Sequence, residues 1–204
     1  QSGEYEGKWG IERKTAYPAI RSQLGDGSID VLGATPWRWA RPEFEQSVDV
    51  LIVDEAGQMT LSNVLAASPA GTGLILLGDP QQLEQPLQSS HPEGSEASAL
   101  YHLLDGADTM PPDKGLFLGE TWRLHPDIAR FTSEIYYEGK VAARPELVHQ
   151  AIVPLQGNEL QFSGSGLRYV AVPHTGNQAK SLVEIAAIAE IVGELLGAAS
   201  WRNQ

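Results

Sequence analysis

Two short stretches place acidic and amide side chains where α/β proteins gather their ligands, at the carboxyl ends of strands. The first reads Val50-Leu51-Ile52-Val53-Asp54-Glu55. A carboxylate directly off a buried strand can hold Mg²⁺ through water, and its neighbour can orient an attacking water. The second reads Leu76-Leu77-Gly78-Asp79-Pro80-Gln81-Gln82-Leu83. There Gly78 permits a tight exit from the strand, and the paired amides can donate and accept hydrogen bonds beside a phosphate. Each stretch alone has a plain structural reading. An Asp-Glu pair often only ends a strand, and Gly-Asp-Pro often only opens a turn. Both together, in this order on successive apolar runs, are far more specific.

The elements that must position these residues are legible from pattern. Short apolar runs without alternation, as parallel strands covered on both faces require, lie at residues 29–34, 48–53, 74–77, 116–118 and 169–172. Helices are predicted over 59–67 and 97–104, and from Pro126 onward with Ile128, Phe131 and Ile135 on one face. A last helix is signalled by a capping box, Ser181 with Glu184, ahead of the apolar run 185–196, with Gly197 placed to close it. Strands alternating with helices imply an α/β fold built on a parallel sheet. Residues 83–113 read as a surface excursion or inter-lobe connection, and 142–166 as similarly irregular.

Bulk composition narrows the classes. The chain has 204 residues and is 42% hydrophobic, enough for a real core, and it contains no cysteine. Disulfides, thiolate zinc sites and iron–sulfur clusters are thereby excluded, and a reducing cytoplasm is the expected compartment. No apolar run approaches the ~20 residues of a membrane helix, and no signal-peptide pattern opens the chain, so no membrane partner is expected. Gln1 is not an initiator Met, which suggests a processed, trimmed or excised chain. The formal net charge of −12 counts against nucleic acid as a partner, because phosphate affinity normally needs a basic footprint. Local arrangement of charge can override that total.

Taken together, the motifs resemble those of superfamily 1 helicases. Asp54-Glu55-Ala56-Gly57-Gln58 looks like motif II, the Walker B element, and Gly78-Asp79-Pro80-Gln81-Gln82-Leu83 looks like motif III. Glu120-Thr121-Trp122-Arg123-Leu124-His125-Pro126 is similar to motif IV of the branch that includes the RNA-surveillance helicases. Gly33-Ala34-Thr35-Pro36-Trp37 and His91-Pro92-Glu93-Gly94 are similar to stretches of bacterial proteins in which such a helicase is fused to a RecB-like nuclease. The resemblance implies a RecA-like parallel sheet flanked by helices, truncated, over residues 1–114, and the start of a second RecA-like lobe over 115–204. It implies ATP and Mg²⁺ as cofactors and ATP hydrolysis coupled to movement along a single strand, DNA in preference to RNA. Asp54 would position Mg²⁺, and Glu55 would polarise the attacking water. Gln58 and Gln82 would sense the γ-phosphate, with Asp79 beside them. Arg123 would be the arginine finger, its planar fork spread over developing phosphoryl charge. Thr35 would bond a nucleic-acid phosphate. Trp37 and Trp39, interleaved with Arg38 and Arg41, offer stacking and charge or, equally, loop packing.

The departures from the pattern are as informative. No Gly-x-x-x-x-Gly-Lys-Ser/Thr run exists. Gly176-Asn177-Gln178-Ala179-Lys180-Ser181 lacks the second glycine, and Ser181 reads instead as a helix cap. Nothing resembles the later motifs V and VI, and Thr121 stands where the surveillance helicases usually have Gln. The expectation is therefore a piece of a motor, inactive alone, whose partners are the missing helicase segments and a fused nuclease. One alternative is a nonmotor binding or scaffolding domain that kept the fold without the P-loop. The other is a dinucleotide enzyme, which would need a Gly-x-Gly-x-x-Gly turn that is absent.

Overall fold

Val48–Val53 alternates branched apolar residues around Asp49 and forms strand β1, with Leu51 and Val53 directed into the core. It pairs in parallel with β2 (Gly71–Leu76), in a register running from Val48↔Gly71 to Val53↔Leu76. Parallel neighbours need a crossover, and helix α3 (Leu61–Ala67) supplies it. The Thr60 hydroxyl accepts a bond from Asn63 N at 3.4 Å to start that helix. A Ser-Pro-Ala 3₁₀ turn then turns the chain into β2. Gly71 opens β2 because any Cβ there would lie 2.9 Å from Leu51 N. That close approach carries the strand upstream of the expected 74–77.

The computed structural model describes residues 10–82 and 97–203. The chain divides into two compact units, Gln1–Ala107 and Asp108–Gln204. The first also contains helices α1 (Tyr17–Gly25), α2 (Pro36–Trp39) and α4 (Ala99–Leu104). Its core gathers Ile20, Phe44, Leu51, Val53, Ala56, Val64 and Leu100. The run 29–34 joins no ladder, contrary to the sequence expectation. Ile29 N is tied back to Gln23 O at 3.1 Å, and Pro36 begins the next helix. Held at both ends, the segment lies across a cleft of about 730 Å³ from β1, with Val31 86% exposed.

The second unit contains β3 (Glu120–Thr121), α5 (Pro126–Tyr136), β4 (Ala142–Ala143), β5 (Ala151–Pro154), α6 (Leu182–Ala198) and β6 (Ala199–Arg202). β3 and β4 pair in parallel, and β5 and β6 antiparallel. Together the units make a mixed helix–strand fold with small parallel sheets, consistent with the α/β class. The runs 116–118 and 169–172 form no ladder here either, and Leu116, Leu118 and Tyr169 are largely exposed. The buried face of α5 is Ala129 and Ser133, not Ile128, Phe131 and Ile135. Small residues win that face because the returning chain lies against it, with Val141 N donating to Ser133 Oγ at 2.9 Å.

Ser181 does cap α6, accepting from Glu184 N at 3.2 Å. The reciprocal half of the box is diverted, because the Glu184 carboxylate lies 2.7 Å from His174 Nε2. Gly197 lies inside the helix, which runs to Ala198 and passes directly into β6. Among the described residues no helix is long and apolar enough to cross a membrane.

One polar cluster ties the start of the second unit to the turn after α5. Buried Thr109 donates to the Glu138 carboxylate, and Lys140 Nζ donates to Thr109 Oγ1 at 2.7 Å and to the same carboxylate. The hydrogen bond from Lys140, and then that from Thr109, holds the Glu138 carboxyl below its usual value of 4.5. A lowered folded-state value contributes stability above the unfolded-state value and loses it as pH falls through the folded one. Glu138→Gln is therefore expected to lower the melting temperature at pH 7, with the gap to the parent closing below about pH 4.5. Thermal melts of both proteins at pH 7 and pH 3 check this.

Candidate functional site

Beyond Val53 the chain leaves β1 through Asp54 and Glu55, and beyond Leu76 it leaves β2 through Gly78 and Asp79. Parallel pairing puts both exits at the same sheet end. The ladder continues past the strands, with Leu77 N donating to Val53 O at 2.8 Å and Ala56 N donating to Leu77 O at 2.8 Å. The two loops are thus clamped to each other by backbone.

They also touch more closely than side chains would allow. A Cβ on Gly57 would sit 2.1 Å from the Asp79 carbonyl oxygen, and one on Gly78 would sit 2.9 Å from the amides of Ala56 and Gly57. Glu55 adopts a left-handed backbone at φ 54°, which costs a non-glycine residue about 1–2 kcal/mol. Asp54 Oδ1 meets part of that cost by accepting from Glu55 N at 3.0 Å. A turn bond from Gln58 N to Glu55 O, 2.9 Å, completes the loop.

On this frame the polar side chains form a connected row. Gln58 Nε2 donates to Glu55 Oε2 at 3.3 Å and to Gln82 Oε1 at 3.4 Å. Gln82 Nε2 donates in turn to Asp79 Oδ2 at 3.3 Å, while Asp79 Oδ1 accepts from Gln81 N at 3.0 Å. Asp54, Glu55, Gln58, Asp79 and Gln82 therefore share one sheet end, most of them solvent-accessible. Carboxylate oxygens suit a hard divalent cation. Among the described residues no three His, Asp or Glu side chains converge as a metal cage. Mg²⁺ bound with a phosphorylated substrate needs only one or two carboxylates, the rest of its shell being water and phosphate oxygen.

The other residues singled out lie elsewhere. Thr35 precedes the helix Pro36–Trp39 and caps it through its carbonyl, which accepts from Arg38 N and Trp39 N, while its hydroxyl caps nothing. Trp37 stands 78% exposed, whereas Trp39 is buried edge-on to Phe44, so packing wins for Trp39 alone. Arg123 belongs to the second unit. Its backbone is held at both ends, N donating to Thr121 Oγ1 at 3.3 Å and O accepting from Gln150 Nε2 at 3.1 Å. Its exposed guanidinium forms no ion pair among the described residues. Next to it, exposed Trp122 carries the Arg144 guanidinium 3.5 Å above its ring. His125 is structural, its Nδ1 accepting from Asp127 N at 3.1 Å as the cap of α5. The His91-Pro92-Glu93-Gly94 stretch and Leu83 lie outside the described residues.

Over 98 residues, 48% of the chain, the protein is 30% identical to Helicase SEN1 of Saccharomyces cerevisiae. That likeness marks a helicase-related region. It spans 4% of the yeast protein's length. No protein-family model matches the chain.

Gly57 lies inside the motif II stretch, but its decisive part is steric, and only the approach of the Asp79 carbonyl reveals it. Gly57→Ala should push the Asp79 carbonyl away, part Gln58 from Gln82, and cost about 1–3 kcal/mol of stability, as overpacking does. Gly73→Ala, where the nearest atom to a new Cβ is 3.4 Å away, should cost much less. Denaturant unfolding of the two variants compares them directly.

Proposed function

We propose that this chain is part of an ATP-dependent superfamily 1 helicase or translocase, allied to the RNA-surveillance branch and to helicases fused to RecB-like nucleases. The observation that carries the reading is the hydrogen-bonded row Glu55–Gln58–Gln82–Asp79 at the shared end of two parallel strands. Support comes also from the helicase-related region. The first unit is then the later part of a RecA-like lobe, and the second the beginning of another.

In this reading Asp54 would hold Mg²⁺ through water, and the bound cation would supply neutralisation of phosphate charge. Glu55 orients the attacking water and takes up its proton. Its left-handed backbone turns its carboxylate toward Gln58 instead of along the strand. Gln58 and Gln82 read the γ-phosphate. Because Gln58 bonds both Glu55 and Gln82, loss of that phosphate alters the second loop as well as the first, which is how hydrolysis reaches the rest of the motor. Arg123, with no ion-pair partner among the described residues, would meet phosphoryl charge. The strand moved is a single-stranded nucleic acid, DNA in preference to RNA, contacted at Thr35 and Trp37, and the compartment is the cytoplasm.

In the intact polypeptide, Arg123→Ala should lower ATP hydrolysis by about 10³–10⁵ with little change in nucleotide affinity, as loss of an arginine finger does. Arg123→Lys should restore little, since a point charge cannot replace the fork. Steady-state hydrolysis with and without single-stranded DNA measures both. Normal turnover in the alanine variant would return Arg123 to the surface, and absence of any hydrolysis in the parent would favour a nonmotor binding domain.

The 204-residue chain alone should bind ATP·Mg²⁺ weakly or not at all. Asp54 and Glu55 then face a triphosphate with no P-loop amides or lysine to offset repulsion. Calorimetric titration tests this. Micromolar affinity abolished by Asp54→Ala would show a complete site without that loop.

A further inference from the structure

The two small sheets of the second unit are joined at Arg123 by one side chain. Thr121 closes β3, and its hydroxyl accepts from Arg123 N at 3.3 Å and from Leu124 N at 3.4 Å. Arg144, just past β4, donates its N–H to Thr121 O at 3.2 Å and lays its guanidinium over the Trp122 ring. The β3–β4 sheet thus fixes the approach to Arg123. The carbonyl on the far side of that residue is held from the other sheet. Gln150 Nε2 donates to Arg123 O at 3.1 Å and to Asn203 Oδ1 at 3.3 Å. Gln150 stands between the 3₁₀ turn Pro145–His149 and β5, its own N–H donating to Leu147 O at 3.1 Å. Ala151 pairs with Arg202 across the antiparallel ladder. One step further out, Gln150 therefore faces Asn203. Arg202 Nε closes the same end by donating to His149 O at 3.3 Å.

We propose that Gln150 is a positioning residue for Arg123, its amide, oriented by Asn203, fixing the backbone from which the guanidinium is presented. The inference deepens the helicase reading and rests on it for the role of Arg123. A side-chain amide has two N–H donors, and Gln150 spends them on its two partners. A long, flexible side chain aims reliably only from a fixed backbone, because any freedom left loose is frozen out during the reaction. The guanidinium end of Arg123 has no ion pair among the described residues to steady it. Its order comes from the near end, where Thr121 holds the N–H and Gln150 the carbonyl. The Gln150 bond is solvent-exposed, so water can replace it with little loss of stability. Removing it acts on the aim of Arg123 and not on the fold.

Gln150→Leu, which keeps bulk and removes both donors, tests the role in two ways. In the 204-residue chain, backbone amide NMR relaxation should show Arg123 and Leu124 rigid in the parent and loosened in the variant, with β1 unchanged. In the intact polypeptide, Gln150→Leu should lower kcat for ATP hydrolysis about tenfold and leave KM unchanged, as loss of aim at the transition state does. Asn203→Ala alters an exposed side chain and should keep the parent's melting curve. It should lower kcat in the same direction by less, about threefold. On the Arg123→Ala background, Gln150→Leu should cost nothing further, because a residue acting through Arg123 then has nothing to position. A merely structural role would lower turnover by the same factor in both backgrounds. The inference is overturned if the loop stays rigid without Gln150, if KM rises while kcat holds, or if the two losses multiply. Each of those results leaves the helicase reading standing when Arg123→Ala itself abolishes turnover. Normal turnover in Arg123→Ala, or no hydrolysis in the parent, overturns the finger reading and this inference together.

Discussion

The contact on which the first unit depends is the approach of Gly57 to the Asp79 carbonyl, closer than any Cβ permits. Strand pairing brings the two loops to the same sheet end, but pairing alone would leave them side by side. The missing side chain lets one loop settle onto the other, and the amide row bridges them at 3.3 to 3.4 Å. Each of those bonds is solvent-accessible and individually weak. Their geometry is imposed from below by backbone bonds of 2.8 Å, which resist displacement far better.

Electrostatics follow the same division of labour. The acidic block containing both loops has no cation of its own, so affinity for any anionic ligand there must be brought by a metal ion or by groups outside residues 42–113. The preceding segment is instead slightly basic and places two of its cations, Arg38 and Arg41, over the Tyr17 ring. A single net charge for the whole chain therefore describes neither region, which is why −12 read as an objection to nucleic acid.

What was legible in the sequence was whatever depended on short-range pattern. The strand Val48–Val53, the starts of α5 and α6, and the grouping of Asp54 and Glu55 with Gln58 and Gln82 all follow from apolar runs, caps and motif spacing. Residues 29–34, 116–118 and 169–172 have the same apolar look, but a strand needs a partner edge, and periodicity cannot supply one. The buried face of α5 escaped for a related reason. Its amphipathic pattern pointed to Phe131 and Ile135, whereas Ser133 won the contact through a tertiary hydrogen bond to Val141. Likewise Trp37 and Trp39 look alike in sequence, and only the ring of Phe44 decides which is buried.

The parallel crossover through α3 has a consequence for the order of folding. Gln58 and Gln82 are 24 residues apart, and Val48 pairs with Gly71, so the polar row is closed by a short loop containing one helix. Loop-closure entropy rises only logarithmically with length, so a crossover of this size adds little to the cost of closing the row. Chain synthesis delivers both loops well before the second unit emerges. The row therefore closes within the first unit, independently of Arg123 and the rest of the second.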